Sequence, residues 1–86
     1  MTTVIAYHEI EDSTHWLASP KRKELFGPMG ITHRTFLDPD NPNRAGVLFE
    51  VPDMAAFQAV IESADCAEAM KHDGVRPDTL VLLIGT

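Results

Sequence analysis

Four short segments rich in β-branched and aromatic residues alternate along this chain with two segments of helical character. Thr2 to Ile10 reads as a strand, because Val4, Ile5 and Tyr7 favour the pleated conformation. Asp12 or Ser13 offers a helix cap, and a helix follows through Trp16 and Leu17. Its periodicity then fails. Leu17 and Phe26 are nine residues apart, which puts them on opposite sides of a straight helix at about 100° per residue. Pro20 lacks an amide donor, and Ser19-Pro20 reads as a cap followed by proline in the first turn. The pattern predicts a short helix to about Ala18 and a second from Pro20 to about Phe26, with Leu25 and Phe26 turned to the core. Gly27-Pro28-Met29-Gly30 ends the segment.

Ile31 to Leu37 alternates as a second strand, Asp38 to Asn43 is a loop by composition, and Ala45 to Val51 is a third strand completing a hairpin. Asp53 caps a helix striped by Met54, Phe57, Val60 and Ile61. Ser63 caps a further helical turn with Ala69 and Met70 facing inward, Gly74 stops it, and Thr79 to Ile84 is the last strand. The order β-α-β-β-α-β predicts an α+β, ferredoxin-like domain: a four-stranded antiparallel sheet with helices on one face. There are no repeats and no linker, so residues 1–86 form one domain.

The other sheet face should be polar, yet Leu80-Val81-Leu82-Leu83-Ile84 puts apolar side chains on both faces. Val4-Ile5-Ala6-Tyr7 and Val47-Leu48-Phe49 do the same. Soluble monomers avoid so large an apolar patch, and a chain of this length hides only about 60–65% of its unfolded surface. A homodimer with two-fold symmetry, packed through the open faces, is the expected solution.

Charge and cysteine content narrow the partners. The formal net charge of -6 disfavours nucleic acid and anionic membrane surfaces. The one basic run, Lys21-Arg22-Lys23, is followed by Glu24 and reads as a solvated helix face. Cys66 is the only cysteine, which fits a reducing compartment and excludes an internal disulfide. No signal-peptide pattern opens the chain and no apolar run nears the roughly 20 residues of a membrane span, so a cytoplasmic location is expected.

His8, Asp12 and Trp16 at the first strand–helix junction are joined by Gly30-Ile31-Thr32, Asp38-Pro39-Asp40-Asn41-Pro42, Glu50-Val51-Pro52-Asp53, and Ser63, Ala69-Met70 and Gly74-Val75. On these residues the chain resembles the dimeric α/β-barrel superfamily, which includes antibiotic-biosynthesis monooxygenase-like proteins and small polyketide cyclases, and is most similar to small bacterial members. The resemblance covers nearly the whole chain and implies the fold more strongly than any activity. Ser13, where relatives often carry an aromatic residue, and Pro20 depart from the pattern beside the presumed cleft. Haem-degrading members resemble the chain in fold alone. Of the haem ligand they carry on the second helix, His72 is the one candidate here, and their strand-one Asn is not evident. No cofactor is expected.

His8 shares a strand face with Val4, Ala6 and Ile10, and His33 with Ile31, Thr35 and Leu37. If helices cover those faces, both imidazoles enter the layer under Trp16. Apolar surroundings would keep them neutral and able to accept a proton at pH 7, which suits enolisation or aldol-type cyclisation. The alternative is a core histidine bonded to a backbone carbonyl. His8 and His33 are thus the catalytic candidates. Trp16, a pocket wall or simply the anchor of helix one on the sheet, His15, exposed or at the cleft rim, and Phe57 are the candidates for contact with substrate. Tyr7, Glu9, Arg34 and Glu50 take the opposite face, where Arg34 would pair with Glu9 or Glu50 across strands or subunits. Cys66 reads as small core filler. A metal site would need His8, His33 and His15 or Glu50 to converge, which the spacing does not force, so no metal is expected. The reading that results is a cofactor-independent cyclase or monooxygenase-like enzyme acting on an aromatic or polyketide-like small molecule. A non-catalytic small-molecule-binding module and a dimerisation scaffold are the alternatives.

Overall fold

Alternation along the strands decides what each face of the sheet carries. In the computed structural model, which describes residues 1–86, β1 (Thr2–Glu9), β2 (Thr32–Asp38), β3 (Asn41–Val51) and β4 (Val81–Ile84) form one antiparallel sheet in the order β2-β3-β1-β4. Between them lie α1 (Ser13–Ala18), α2 (Lys21–Phe26), α3 (Met54–Ile61) and α4 (Ala64–Asp73), with single 3₁₀ turns at Gly27–Met29 and Pro77–Thr79. This is the ferredoxin-like arrangement that the element order predicts. None of its helices is long and apolar enough to cross a membrane.

Val4 lies opposite Phe49 and Ala6 opposite Val47, so these residues share one face with His8, Ala45 and Val51. The helices cover that face. Trp16 from α1, Phe26 from α2 and Phe57 from α3 sink into it almost completely. Phe49, Phe26 and Phe57 form an aromatic centre, with ring centroids 4.8 to 5.8 Å apart. The other face has no cover. Ile5, Tyr7, Phe36, Val81 and Leu83 stand exposed on it, and Ile5 and Leu83 are cross-strand partners.

The helix ends follow local chemistry. Asp12 accepts from the amides of Thr14 and His15, Asp53 from those of Ala55 and Ala56, and Ser63 from that of Cys66. Gly74 closes α4 at φ 73°, a left-handed conformation that favours glycine. The first helical segment is broken where the sequence predicts. Ser19 is extended, Pro20 restarts the helix, and the Lys21 amide bonds the Ser19 hydroxyl. The turn of direction buries Phe26 and leaves Leu17 exposed.

The expected loop of Asp38 to Asn43 is shorter than its composition implies. Asp38 pairs directly with Asn41 around Pro39-Asp40, and its carboxylate accepts from the Asp40 amide. β3 therefore starts at Asn41. The pairing then skips from Asp38–Asn41 to Leu37–Ala45, so Pro42 falls in a bulge where no β2 acceptor awaits its missing N–H.

Candidate functional site

The broken first helix creates a charged cluster beneath the helices. With Pro20 lacking an amide, the Trp16 carbonyl has no helical i+4 donor. Arg22 reaches back from α2 and donates from Nη2 to that carbonyl at 2.8 Å. Its guanidinium lies 4.3 Å from the centroid of the Trp16 ring. Nη1 sits 3.6 Å from Oδ2 of Asp73 on α4, within reach of an ion pair but too far for a good hydrogen bond. The Arg22 side chain is only 11% exposed. Far from being part of a solvated face, as the basic run implies, Arg22 is the buried member of that run, because the restart at Pro20 points it at the sheet.

Asp73, 3% exposed, is also bonded by the Ser19 hydroxyl and by Nδ1 of His72 at 2.9 Å. The carboxylate thus ties the helix break to the end of α4. Even so, Nε and Nη1 of Arg22 have no hydrogen-bond acceptor, and neither nitrogen is reached by solvent. The same is true of His8 Nδ1. Buried polar atoms without partners are uncommon in folded proteins, and each calls for a partner such as a bound water, an ion or a ligand.

A cavity of about 70 Å³ adjoins these groups, between α2, α4 and the sheet. Arg22, His8, Trp16 and Asp73 contribute its polar and aromatic wall. Leu25, Phe49, Met70 and Leu82 are among the apolar residues that complete it. His8 is 7% exposed and meets Trp16 edge to face, with ring centroids 5.7 Å apart. Burial lowers its pKa from the ordinary 6.5, the nearby Arg22 charge lowers it further, and the adjacent Glu9 backbone opposes the shift without closing a hydrogen bond to Nδ1. Burial likewise lowers the Arg22 pKa, against the opposing pull of Asp73. Cys66, buried on the cavity wall, has its thiol pKa raised by burial and fits the role of small filler.

The other residues singled out from sequence are dispersed. His33 faces the helix side, as the alternation implies, but stands beside Phe49 rather than Trp16. It lies two strands over and four ladder positions along from His8, roughly 16 Å away by strand spacing. Burial and Arg22 lower its pKa too. Phe57 is packed into the aromatic centre and does not line the cavity. His15 lies on the exterior, its Nε2 bonded to the His72 carbonyl at 2.7 Å. Arg34 pairs with neither Glu9 nor Glu50 within the protomer. It lies over Phe36, Glu9 binds Arg76 at 2.9 Å, and Glu50 accepts from Thr3.

His8 and His33 are too far apart to share a metal ion. Groups of ligand type gather instead at His15, His72 and Asp73, where the donor atoms come within 4.8 Å, but Asp73 is already committed to Arg22, Ser19 and His72. His72 does not line the cavity, so the residues present do not fit haem ligation there.

The two lowered histidine pKa values make stability depend on pH. The unfolded chain takes up protons as pH falls through about 6.5, while folded His8 and His33 resist them. Their stabilisation is therefore full above that pH and declines below it, until the folded-state values are passed. The thermal midpoint is expected to be lower at pH 5 than at pH 7.5, and His8→Asn to flatten part of the slope. Identical slopes for wild type and variant would contradict this.

An α+β sandwich with one uncovered sheet face and a cavity under its helices defines a ferredoxin-like fold. No family model and no curated protein matches the sequence, but solved structures match the fold over almost the whole chain. A variant of SnoaB, a cofactor-independent oxygenase from Streptomyces nogalater, aligns with TM-score 0.70 at 13% identity, covering 99% of this chain and 90% of that one. A dimeric ferredoxin-like protein of unknown function from Jannaschia sp. aligns with TM-score 0.68 at 17% identity, covering 99% and 97%. An antibiotic biosynthesis monooxygenase aligns with TM-score 0.65 at 18% identity, covering 100% and 97%. The chain shares the fold of the antibiotic-biosynthesis monooxygenase-like proteins.

Proposed function

We propose that the chain acts as a homodimer whose helix-side cavity takes a small aromatic or polyketide-like molecule and removes a proton from it. The reaction is cyclase-like or monooxygenase-like and needs no bound cofactor. The observation that carries this reading is His8: a buried imidazole kept neutral by its surroundings, with Nδ1 unpartnered, at the wall of a cavity under the only Trp of the chain. A neutral base beside a fixed positive charge suits abstraction of a proton from an activated carbon or a phenolic oxygen, because the anion that forms is stabilised where it arises. That step opens both an enolate-driven ring closure and a direct reaction with dioxygen. The base role rests on His8 alone, since His33 is not at the cavity.

Dimerisation is supported by the uncovered sheet face, and a similar fold from Jannaschia sp. is described as dimeric. Packing two such faces together buries apolar surface that a monomer of this size leaves in water.

His8→Asn tests the base. The variant should fold and dimerise, while turnover of phenols and cyclic 1,3-diketones, followed by dioxygen uptake and ultraviolet absorbance, falls about 100-fold. Undiminished turnover would rule out His8. The mainly apolar lining favours one other reading, a binding module, which predicts binding of these compounds by both proteins and turnover by neither.

A further inference from the structure

Arg22 has more hydrogen-bonding capacity than the protein satisfies. A guanidinium carries five N–H donors, held in a plane. The Trp16 carbonyl takes one, through Nη2. Nε and Nη1 are buried and without acceptors. Asp73 does not make up the deficit, because it is 3.6 Å from Nη1 and engaged by Ser19 and His72. Lys21 on the cavity rim is paired with Glu24. The unmet donors belong to Arg22, which stands beside one carboxylate, Asp73, and against mainly apolar walls. His8, whose Nδ1 is also unpartnered, lines the same cavity.

The geometry points to an anionic occupant: a compact molecule whose carboxylate or enolate oxygen accepts from Arg22 while its apolar body rests against Trp16 and Met70. A hydrophobic ligand with no oxygen acceptor would leave Nε and Nη1 of Arg22 without hydrogen bonds, and a neutral carbonyl would bond them more weakly than an oxyanion. A second cation would be repelled. Arginine is suited to this role, because its planar donors match a delocalised oxyanion. The size of the cavity sets the scale of the ligand. A void of roughly 150 Å³ takes benzene, and this one has about 70 Å³ and is partly open. It admits the charged head and part of one ring, and no fused-ring system enters without α2 and α4 parting. The inference rests on the reading of this cavity as a ligand site and narrows that ligand to a single-ring or smaller acid.

Trp16 is the only tryptophan and lies beneath the Arg22 guanidinium, so its fluorescence reports an occupant directly. The experiment titrates the intact protein at pH 7.5 with benzoate, with 1,3-cyclohexanedione (largely enolate at that pH), and with neutral acetophenone. At least one anion should bind tenfold or more tightly than acetophenone. Benzoate alone showing the preference assigns a carboxylate, the dione alone an enolate. In Arg22→Gln the ratio of anion to acetophenone affinity should fall to near one. Arg22→Lys, which keeps the charge and loses the planar donor set, guards against misfolding and should retain part of the preference. Equal affinity of all three compounds for the wild type would overturn the anionic assignment and leave a ligand site standing. So would a preference that survives in a folded Arg22→Gln. If none of the three perturbs Trp16 or the thermal midpoint, the reading of the cavity as a ligand site falls as well.

Discussion

Replacing Arg22 with methionine should destabilise the folded protein by about 3 kcal/mol, the low end of what removing one partner of a buried ion pair costs. The substitution keeps much of the side-chain volume, so the loss is electrostatic. Asp73 would remain 3% exposed with only the Ser19 hydroxyl and His72 for company. The Trp16 carbonyl would lose its strongest donor, keeping only a long 3.4 Å contact from the Ser19 amide. Urea denaturation measures the change directly. The decisive comparison is the double variant Arg22→Met/Asp73→Leu, which removes both charges and should recover most of the loss, because a buried pair is worth little against apolar replacements. A single variant within about 1 kcal/mol of the wild type would show that Arg22 is not coupled to Asp73 in solution. So would a double variant as unstable as the sum of its parts.

The second large effect is expected at the opposite face of the sheet. Ile5 and Leu83 are cross-strand partners on the uncovered side, flanked by Tyr7, Phe36 and Val81. An aspartate at position 83 places a charge in the middle of the surface on which two copies would meet. Without a counter-charge, its desolvation opposes association. Leu83→Asp is therefore expected to shift the mass in solution from twice 9.5 kDa to 9.5 kDa at micromolar concentration. The thermal midpoint should fall by more than about 10 °C, since a difference of 1 kcal/mol moves a domain of this size by about 4–8 °C. Wild-type stability should rise with protein concentration and that of the variant should not. A wild type that runs as a monomer would remove the dimer from the proposal. Light scattering on both proteins decides the point.

These two sites differ in how far the sequence exposes them. The apolar open face is visible in the chain, because a run such as Leu80 to Ile84 cannot point all its side chains the same way. Helix starts are visible for a similar reason: Asp12, Asp53 and Ser63 each sit immediately before the backbone amides they serve. So is the break at Ser19-Pro20. Arg22 is not. Its partner Asp73 is 51 positions away and becomes its neighbour only when α2 and α4 pack on the same sheet face. Between two lysines and ahead of a glutamate, Arg22 has the local signature of a solvated residue. The one local clue is the restart at Pro20: Arg22 stands four positions before Phe26, so a helix that turns Phe26 inward turns Arg22 with it. Alternation puts both His8 and His33 on the helix side but does not fix where they fall along the sheet. That depends on the register of both strands with β3, where His8 meets Ala45 and His33 meets Phe49.

Pro20 has a further consequence. In an ordinary helix the carbonyl of Trp16 would be taken by the amide four residues on, and the Arg22 guanidinium would have to compete for it. A residue with no amide resolves that competition before the chain folds. The protein has exchanged a continuous helix for a docking point, so local regularity and site assembly pull in opposite directions at this position. An amide-bearing residue at position 20 would restore one helical hydrogen bond and reopen that competition, weakening the hold on Arg22.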